Sequence, residues 1–168
     1  WEMVTKGVNY LDREILDDYT YIVEHDSNFT KHKHINEDHI QYLYARSFFK
    51  DLPIDAATKK AFDYFQQQAT KYWTDFSIYS EGMIALETKR FSNEPIANDI
   101  MKSIKERAIS NEEMGMYWKD NVAGYYWYQA PIETQALLIE AFDEVTNDQV
   151  MVEEMKVWLL KQKQTTDW

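Results

Sequence analysis

The sequence predicts an all-α fold built as an array of antiparallel helical hairpins, and three observations carry that expectation. Four Gly and three Pro in 168 residues leave few breakers, which favours long helices over a turn-rich sheet protein. Apolar residues recur at helical spacing in about seven segments. Aromatic residues make up 15% of the chain, so the core is expected to be built from large rings whose polar tips need partners.

The first segment, residues 2–23, places Val4, Val8, Leu11, Ile15, Tyr19 and Ile22 at helical spacings. Residues 24–36 are polar and read as a loop. Asn36 suits the N-cap of a second helix, with Glu37 and Asp38 in its positive first turn and Ile40, Leu43, Tyr44, Ser47 and Phe48 along it. Pro53 stops that helix, and Asp55 caps a third reaching about residue 73. The fourth covers 75–91 and holds Ile78, Gly82, Met83, Ala85 and Leu86. Ser92 or Asn93 caps the fifth, which tolerates Pro95 in its first turn and runs to about residue 109. Residues 110–130 break the pattern, and 114–129 read as a short irregular hairpin against one end of the helices. A sixth helix spans 131–145 from Pro131; Asn147 or Asp148 then starts a seventh that ends near 162.

Residues 40–45, 80–85 and 134–139 share a polar pair followed by a small or aromatic residue and an apolar run, recurring at the spacing of helical-hairpin repeats. Their neighbours at 61–65 and 151–158 are more strongly two-faced. Helices apolar on most sides sit inside and amphipathic ones cover them, so the alternation predicts a partial α/α toroid. Leu43, Met83, Leu137 and Leu138 are its expected inner positions.

The length suits one domain with one core. A formal net charge of −11 repels a nucleic-acid backbone, and no run of Lys or Arg addresses an anionic membrane. No apolar segment approaches the ~20 residues that span a bilayer. The absence of Cys removes disulfides, thiolate metal sites and Cys nucleophiles together. The chain opens Trp1-Glu2-Met3-Val4 and closes Thr166-Asp167-Trp168, which reads as a single helical domain excised from a larger protein.

Three constellations invite a chemical reading. His25, His32, His34 and His39 lie within fifteen residues, beside Glu37 and Asp38. His-Xaa-His beside carboxylates is a pattern that Zn²⁺ uses. Lys31 and Lys33 place positive charge between these candidates and no second shell is visible, so the tract is read as a solvated loop with no metal assigned. Tyr117, Trp118, Tyr125, Tyr126, Trp127 and Tyr128 form an aromatic cluster and the best candidate interaction surface. Packing is the favoured reading of those rings; fanned outward, they would stack on sugars or bury a protein partner. Glu81, Glu133 and Glu140 fall on or near the inner helices, where α/α-toroid glycosidases place acid–base pairs. Glu133 and Glu140 are about 10 Å apart by helical rise, beyond what an acid–base pair usually needs. No Ser-His-Asp order, nucleophile elbow or phosphate loop is present. No catalytic residue and no cofactor are assigned.

Several longer segments carry a family resemblance. They are Gly7-Val-Asn-Tyr-Leu-Asp-Arg-Glu14, Tyr42-Leu-Tyr-Ala-Arg-Ser-Phe-Phe49, Lys105-Glu-Arg-Ala108, residues 112–121, Gln129-Ala-Pro-Ile-Glu-Thr-Gln-Ala-Leu-Leu-Ile-Glu-Ala-Phe142 and residues 158–168. Together, in this order, they resemble the alpha-2-macroglobulin family of Bacteroidetes-type bacteria. The resemblance implies the middle of the complement-type thioester domain, an α/α toroid, within a periplasmic or envelope-anchored protein that entraps proteases. It implies a non-catalytic role, with the other domains of the parent chain and host or competitor proteases as partners. Thr134, Gln135 and Ala136 match the family's inner helix, and Thr165-Thr166 begin its next element. The thioester motif Cys-Xaa-Glu-Gln is absent here, so covalent capture is assigned to no residue of this chain.

Overall fold

A computed structural model describes residues 1–165, with side chains as far as Lys163. The expected role of the Thr165-Thr166 pair lies outside the described side chains. The fold is all-α with helical hairpins: α1 (Glu2–His25), α2 (Glu37–Ser47), α3 (Ala56–Tyr72), α4 (Ile78–Arg90), α5 (Glu94–Glu106), α6 (Pro131–Ala141) and α7 (Gln149–Thr165). One two-stranded antiparallel sheet, β1 (Ile109–Asn111) and β2 (Gly115–Tyr117), interrupts them. The chain forms two compact units, one from Trp1 to Asp75 and the other from Phe76 onward, where the sequence reading took one domain.

In the first unit α1 and α2 both pack on α3 around Ile15, Ile40, Leu43, Phe62 and Phe65. The α2 cap is the expected one: the Asn36 side chain accepts from the His39 N–H at 3.0 Å, and His39 Nδ1 accepts from the Asn36 N–H at 3.2 Å. Asp55 caps α3 by accepting from the Ala57 and Thr58 N–H groups at 2.8 and 3.0 Å. The α1 stripe differs from the expectation. Val4 and Leu11 are exposed, and the buried positions of α1 are Val8, Asp12 and Ile15. Asp12 is held inside because its Oδ1 accepts from the Tyr42 hydroxyl at 2.6 Å and from Arg46 Nε at 3.2 Å. Arg46 also donates to the Leu52 carbonyl at 2.8 Å, so this ion pair ties α1, α2 and the turn after α2 together.

The second unit is built around α4, whose residues Ser80 to Thr88 are buried without interruption. The amphipathic α5 covers one side of it and α6 another. The enclosure of α4 agrees with the inner place the sequence gives it, and Met83, Leu137 and Leu138 lie in the core. The Cβ position of Gly82 sits 3.1 Å from Leu138 Cδ2 and 3.3 Å from Leu137 Cδ2, so a missing side chain lets α4 and α6 approach. The α4 helix ends in a Schellman turn: the Asn93 N–H reaches the Thr88 carbonyl at 2.7 Å and the Ser92 N–H reaches Lys89 at 3.0 Å. Ser92 takes the left-handed position usually given to Gly, at φ 68°.

The hairpin lies at 109–117 rather than 114–129. Asn111 Oδ1 accepts from the Glu113 and Met114 N–H groups at 2.8 and 3.1 Å, which turns the chain early. Gly115 then takes φ 74° as β2 begins. The β2 strand packs on α7, and Gln135 Nε2 of α6 donates to the Met116 carbonyl at 2.7 Å and to Met155 at 3.3 Å. One π-helical turn, Phe142–Thr146, follows α6 and closes at left-handed Asn147. Asp148 caps α7 by accepting from the Met151 N–H at 3.2 Å.

Two substitutions test this packing. Leu137→Ala removes buried methyl groups from the α4–α6 contact and should cost ~2–5 kcal/mol in chemical denaturation, whereas a cost below ~1 kcal/mol would remove Leu137 from the core. A Cβ at Gly115 would meet the Glu154 carbonyl oxygen at 2.3 Å and Val157 Cβ at 2.9 Å. Combined with the left-handed backbone, Gly115→Ala should cost roughly 2–4 kcal/mol; an unchanged unfolding midpoint would show that the hairpin does not dock on α7 this closely.

Candidate functional site

The aromatic cluster is divided by the fold. Trp118 is a core residue, 3% exposed, with Nε1 donating to the Ile104 carbonyl at 2.8 Å and its ring stacked 6.3 Å from Phe142. Tyr117 is half-buried on β2 and Tyr128 half-buried in the turns that follow. Tyr125 is 94% exposed, and Tyr126 and Trp127 are exposed beside it. Trp118 therefore leaves the candidate surface, and of the remaining rings Tyr125, Tyr126, Trp127 and Tyr128 meet in a ridge ahead of α6, without Tyr117 on β2.

Backbone bonds shape the ridge. The Gly124 N–H donates to the Gln129 carbonyl at 3.1 Å, the Gln129 N–H returns to Tyr126 at 2.9 Å, and Gln129 Oε1 accepts from the Tyr126 N–H at 3.1 Å. Within that frame the Tyr126 and Tyr128 rings stack at 5.3 Å and 2°, and Trp127 meets Tyr128 and Tyr79 edge-on at 5.6 and 6.0 Å. Tyr128 and Gln129 also line a cavity of about 190 Å³ with Ile78, Arg107, Asn121 and Thr134.

The three carboxylates are not gathered into an acid–base pair. Glu81 is buried on α4 and ion-paired with Arg107. Burial pushes its carboxyl above the usual range, and the Arg107 guanidinium pulls it back. Glu140 pairs with Arg90 at 2.6 Å, and Arg90 also holds Glu144 at 2.6 Å. Glu133 is exposed in the first turn of α6, where it favours the helix N-terminus. Of the three inner positions expected on α6, Thr134 and Gln135 are buried and Ala136 is exposed.

The histidine tract is only partly a solvated loop. His39 is buried, stacked on Phe65 at 3.9 Å. His25 Nδ1 bonds the Tyr21 carbonyl at 2.8 Å, and its ring stacks on Tyr21. His32 and His34 converge on Asp26, a residue the sequence reading did not weigh: Asp26 Oδ2 lies 2.6 Å from His32 Nδ1 and 2.9 Å from His34 Nε2. The sequence signal for Asp26 was the helix end itself, since Asp26 follows the last residue of α1 and turns the chain back.

His39 carries a pH consequence. Its Nδ1 accepts a backbone N–H, so the ring proton sits on Nε2 and donates to Asp18 at 3.1 Å. Burial lowers the folded pKa from the ordinary 6.5, with Asp18 opposing. Between that lowered value and 6.5 the unfolded chain binds more protons, so stability is complete above about pH 6.5 and falls as pH drops through this window. Urea unfolding of the unsubstituted chain and of His39→Gln at about pH 7.5 and about pH 5.5 should show the smaller loss in the variant. Equal losses would contradict the neutral, buried state of His39.

No family model matches the chain, and no curated protein and no solved structure is significantly similar to it.

Proposed function

We propose that this chain is a non-catalytic helical domain of an alpha-2-macroglobulin-like envelope protein that traps proteases, and that it acts by packing against other domains of its parent. The observation that carries the reading is the ordered aromatic ridge of Tyr125, Tyr126 and Trp127, a large apolar surface held in a fixed turn. Rings held in place by backbone bonds lose little entropy on docking, which suits a permanent contact. The pairing of Glu81 with Arg107 and of Glu140 with Arg90 supports a structural role for those carboxylates. The order of the resembling segments, above all 129–142 on the buried α6, supports the family assignment. The enclosure of α4 between α5 and α6 is compatible with a partial toroid.

A trap acts by steric enclosure, so small substrates should still reach an enclosed protease while large ones are excluded. Incubating trypsin with the full-length parent should preserve cleavage of a tripeptide substrate and suppress cleavage of casein. Unchanged cleavage of both would contradict the trap. A second reading takes the same ridge as a site for a free sugar or protein, favoured by the 94% exposure of Tyr125. Hydrogen exchange at 122–128 separates the two. Protection in the parent relative to this chain alone supports packing, and equal exposure supports the second reading.

A further inference from the structure

We propose that Asp26, His32 and His34 bind a Zn²⁺ ion at the junction between α1 and the segment leading to α2. Each offers one ligand atom, and these three atoms lie within 4.8 Å of one another. Both imidazoles converge on the same carboxylate oxygen, His32 through Nδ1 at 2.6 Å and His34 through Nε2 at 2.9 Å. In a tetrahedral zinc site with bonds near 2.0–2.1 Å, neighbouring ligand atoms stand about 3.3 Å apart. The two contacts to Asp26 Oδ2 open by roughly half an ångström to reach that spacing, and side-chain rotation brings the two imidazole nitrogens, which start within 4.8 Å of each other, onto the same ion.

The backbone that carries these ligands is fixed from outside the segment. Gln68, buried on α3, accepts from the His34 N–H at 2.9 Å and donates to the His32 carbonyl at 3.0 Å, holding the chain on both sides of Lys33. The Tyr64 hydroxyl donates to the Phe29 carbonyl at 3.0 Å. Asp26 is oriented by the Asn28 N–H, which donates to Oδ1 at 2.8 Å and leaves Oδ2 for the histidines. Lys33, which separates the two histidines in sequence, pairs with Asp75 at 3.0 Å.

Zinc binding replaces the two hydrogen bonds to Asp26 by three coordinate bonds, from Asp26 Oδ2, His32 Nδ1 and His34 Nε2. Each neutral ring exchanges tautomer through solvent, so that His32 presents the Nδ1 lone pair and His34 the Nε2 lone pair, with its proton on the other nitrogen. His32 is largely exposed, so solvent completes the fourth position. The ion would clip the end of α1 to a segment already anchored on α3.

The test is a zinc titration of this chain in competition with a chromogenic chelator, followed by thermal unfolding with and without Zn²⁺. One ion per chain should bind at micromolar concentration and raise the unfolding midpoint. Asp26→Asn and His34→Gln should each weaken binding by about 100-fold or more, while His25→Gln leaves it unchanged. His32→Gln, at an exposed position, provides a ligand variant whose circular dichroism should match the unsubstituted chain. The absence of saturable one-to-one binding at micromolar Zn²⁺ would overturn the proposal. So would binding that survives the ligand substitutions or falls equally on His25→Gln.

Discussion

The second unit depends on one constraint: α4 is enclosed on every side from Ser80 to Thr88. A helix in that position holds its polar side chains out of water, and the protein supplies partners to Thr88, Ser80 and Glu81. Thr88 turns its hydroxyl onto the Ile84 and Ala85 carbonyls at 2.6 and 3.1 Å. Ser80 meets Ser77, whose side chain caps the helix. Glu81 is answered by Arg107, just past the end of α5, so the ion pair also fixes where α5 hands over to the hairpin. Gly82 sets how near α6 comes. The path of the chain from 107 to 141 follows from these requirements: out of α5, through β1 and β2 onto α7, and back along α4 as α6.

The first unit meets the same problem on a smaller scale. Asp12 and Arg46 are both buried, and each gains further bonds, from Tyr42 and to the Leu52 carbonyl. Such a pair adds little net stability over an apolar substitute, but losing one partner strands a charge. Its value is positional, because only one placement of α1 on α2 satisfies all four groups. Burial and the Asp12 hydrogen bond raise the Tyr42 hydroxyl far above its ordinary pKa, so it remains a donor at any physiological pH.

Helix existence was legible, and so were three of the caps, because they rest on local chemistry; the cap expected of Ser92 or Asn93 does not form, since Asn93 precedes α5 with no side-chain cap bond and Ser92 serves the turn that ends α4. Asn36, Asp55 and Asp148 bond the N–H groups of the turn that follows each of them. Inner positions such as Leu43, Met83 and Leu138 were legible from period and composition. What escaped depends on groups distant in sequence. The burial of Asp12 has no local signal, because Tyr42 and Arg46 lie 30 and 34 residues away. Leu11 looked like core because helical spacing alone cannot say which edge of a stripe a neighbour covers. The hairpin was displaced because strands of three residues leave no alternating pattern to read. Trp118 and Trp127 have similar sequence surroundings and opposite fates; Trp118 finds the Ile104 carbonyl beneath it, while Trp127 follows the turn outward. Asp26 and His34 meet directly, on a segment whose backbone Gln68 of α3 holds at His34 and His32, a contact no local reading contains.

The two proposed sites belong to separate units, the aromatic ridge to the second and the histidine-lined turn to the first. No helix among the described residues is long and apolar enough to cross a membrane. The central claim is that α4 is the enclosed element on which the second unit is built, and native-state hydrogen exchange tests it most directly. Amides in the hydrogen-bonded body of α4, from Gly82 to Thr88, should exchange only through global unfolding, with protection matching the full unfolding free energy. Exchange in α4 as fast as in the hairpin strands would mean that the helix opens locally, and the account built on its enclosure would fail.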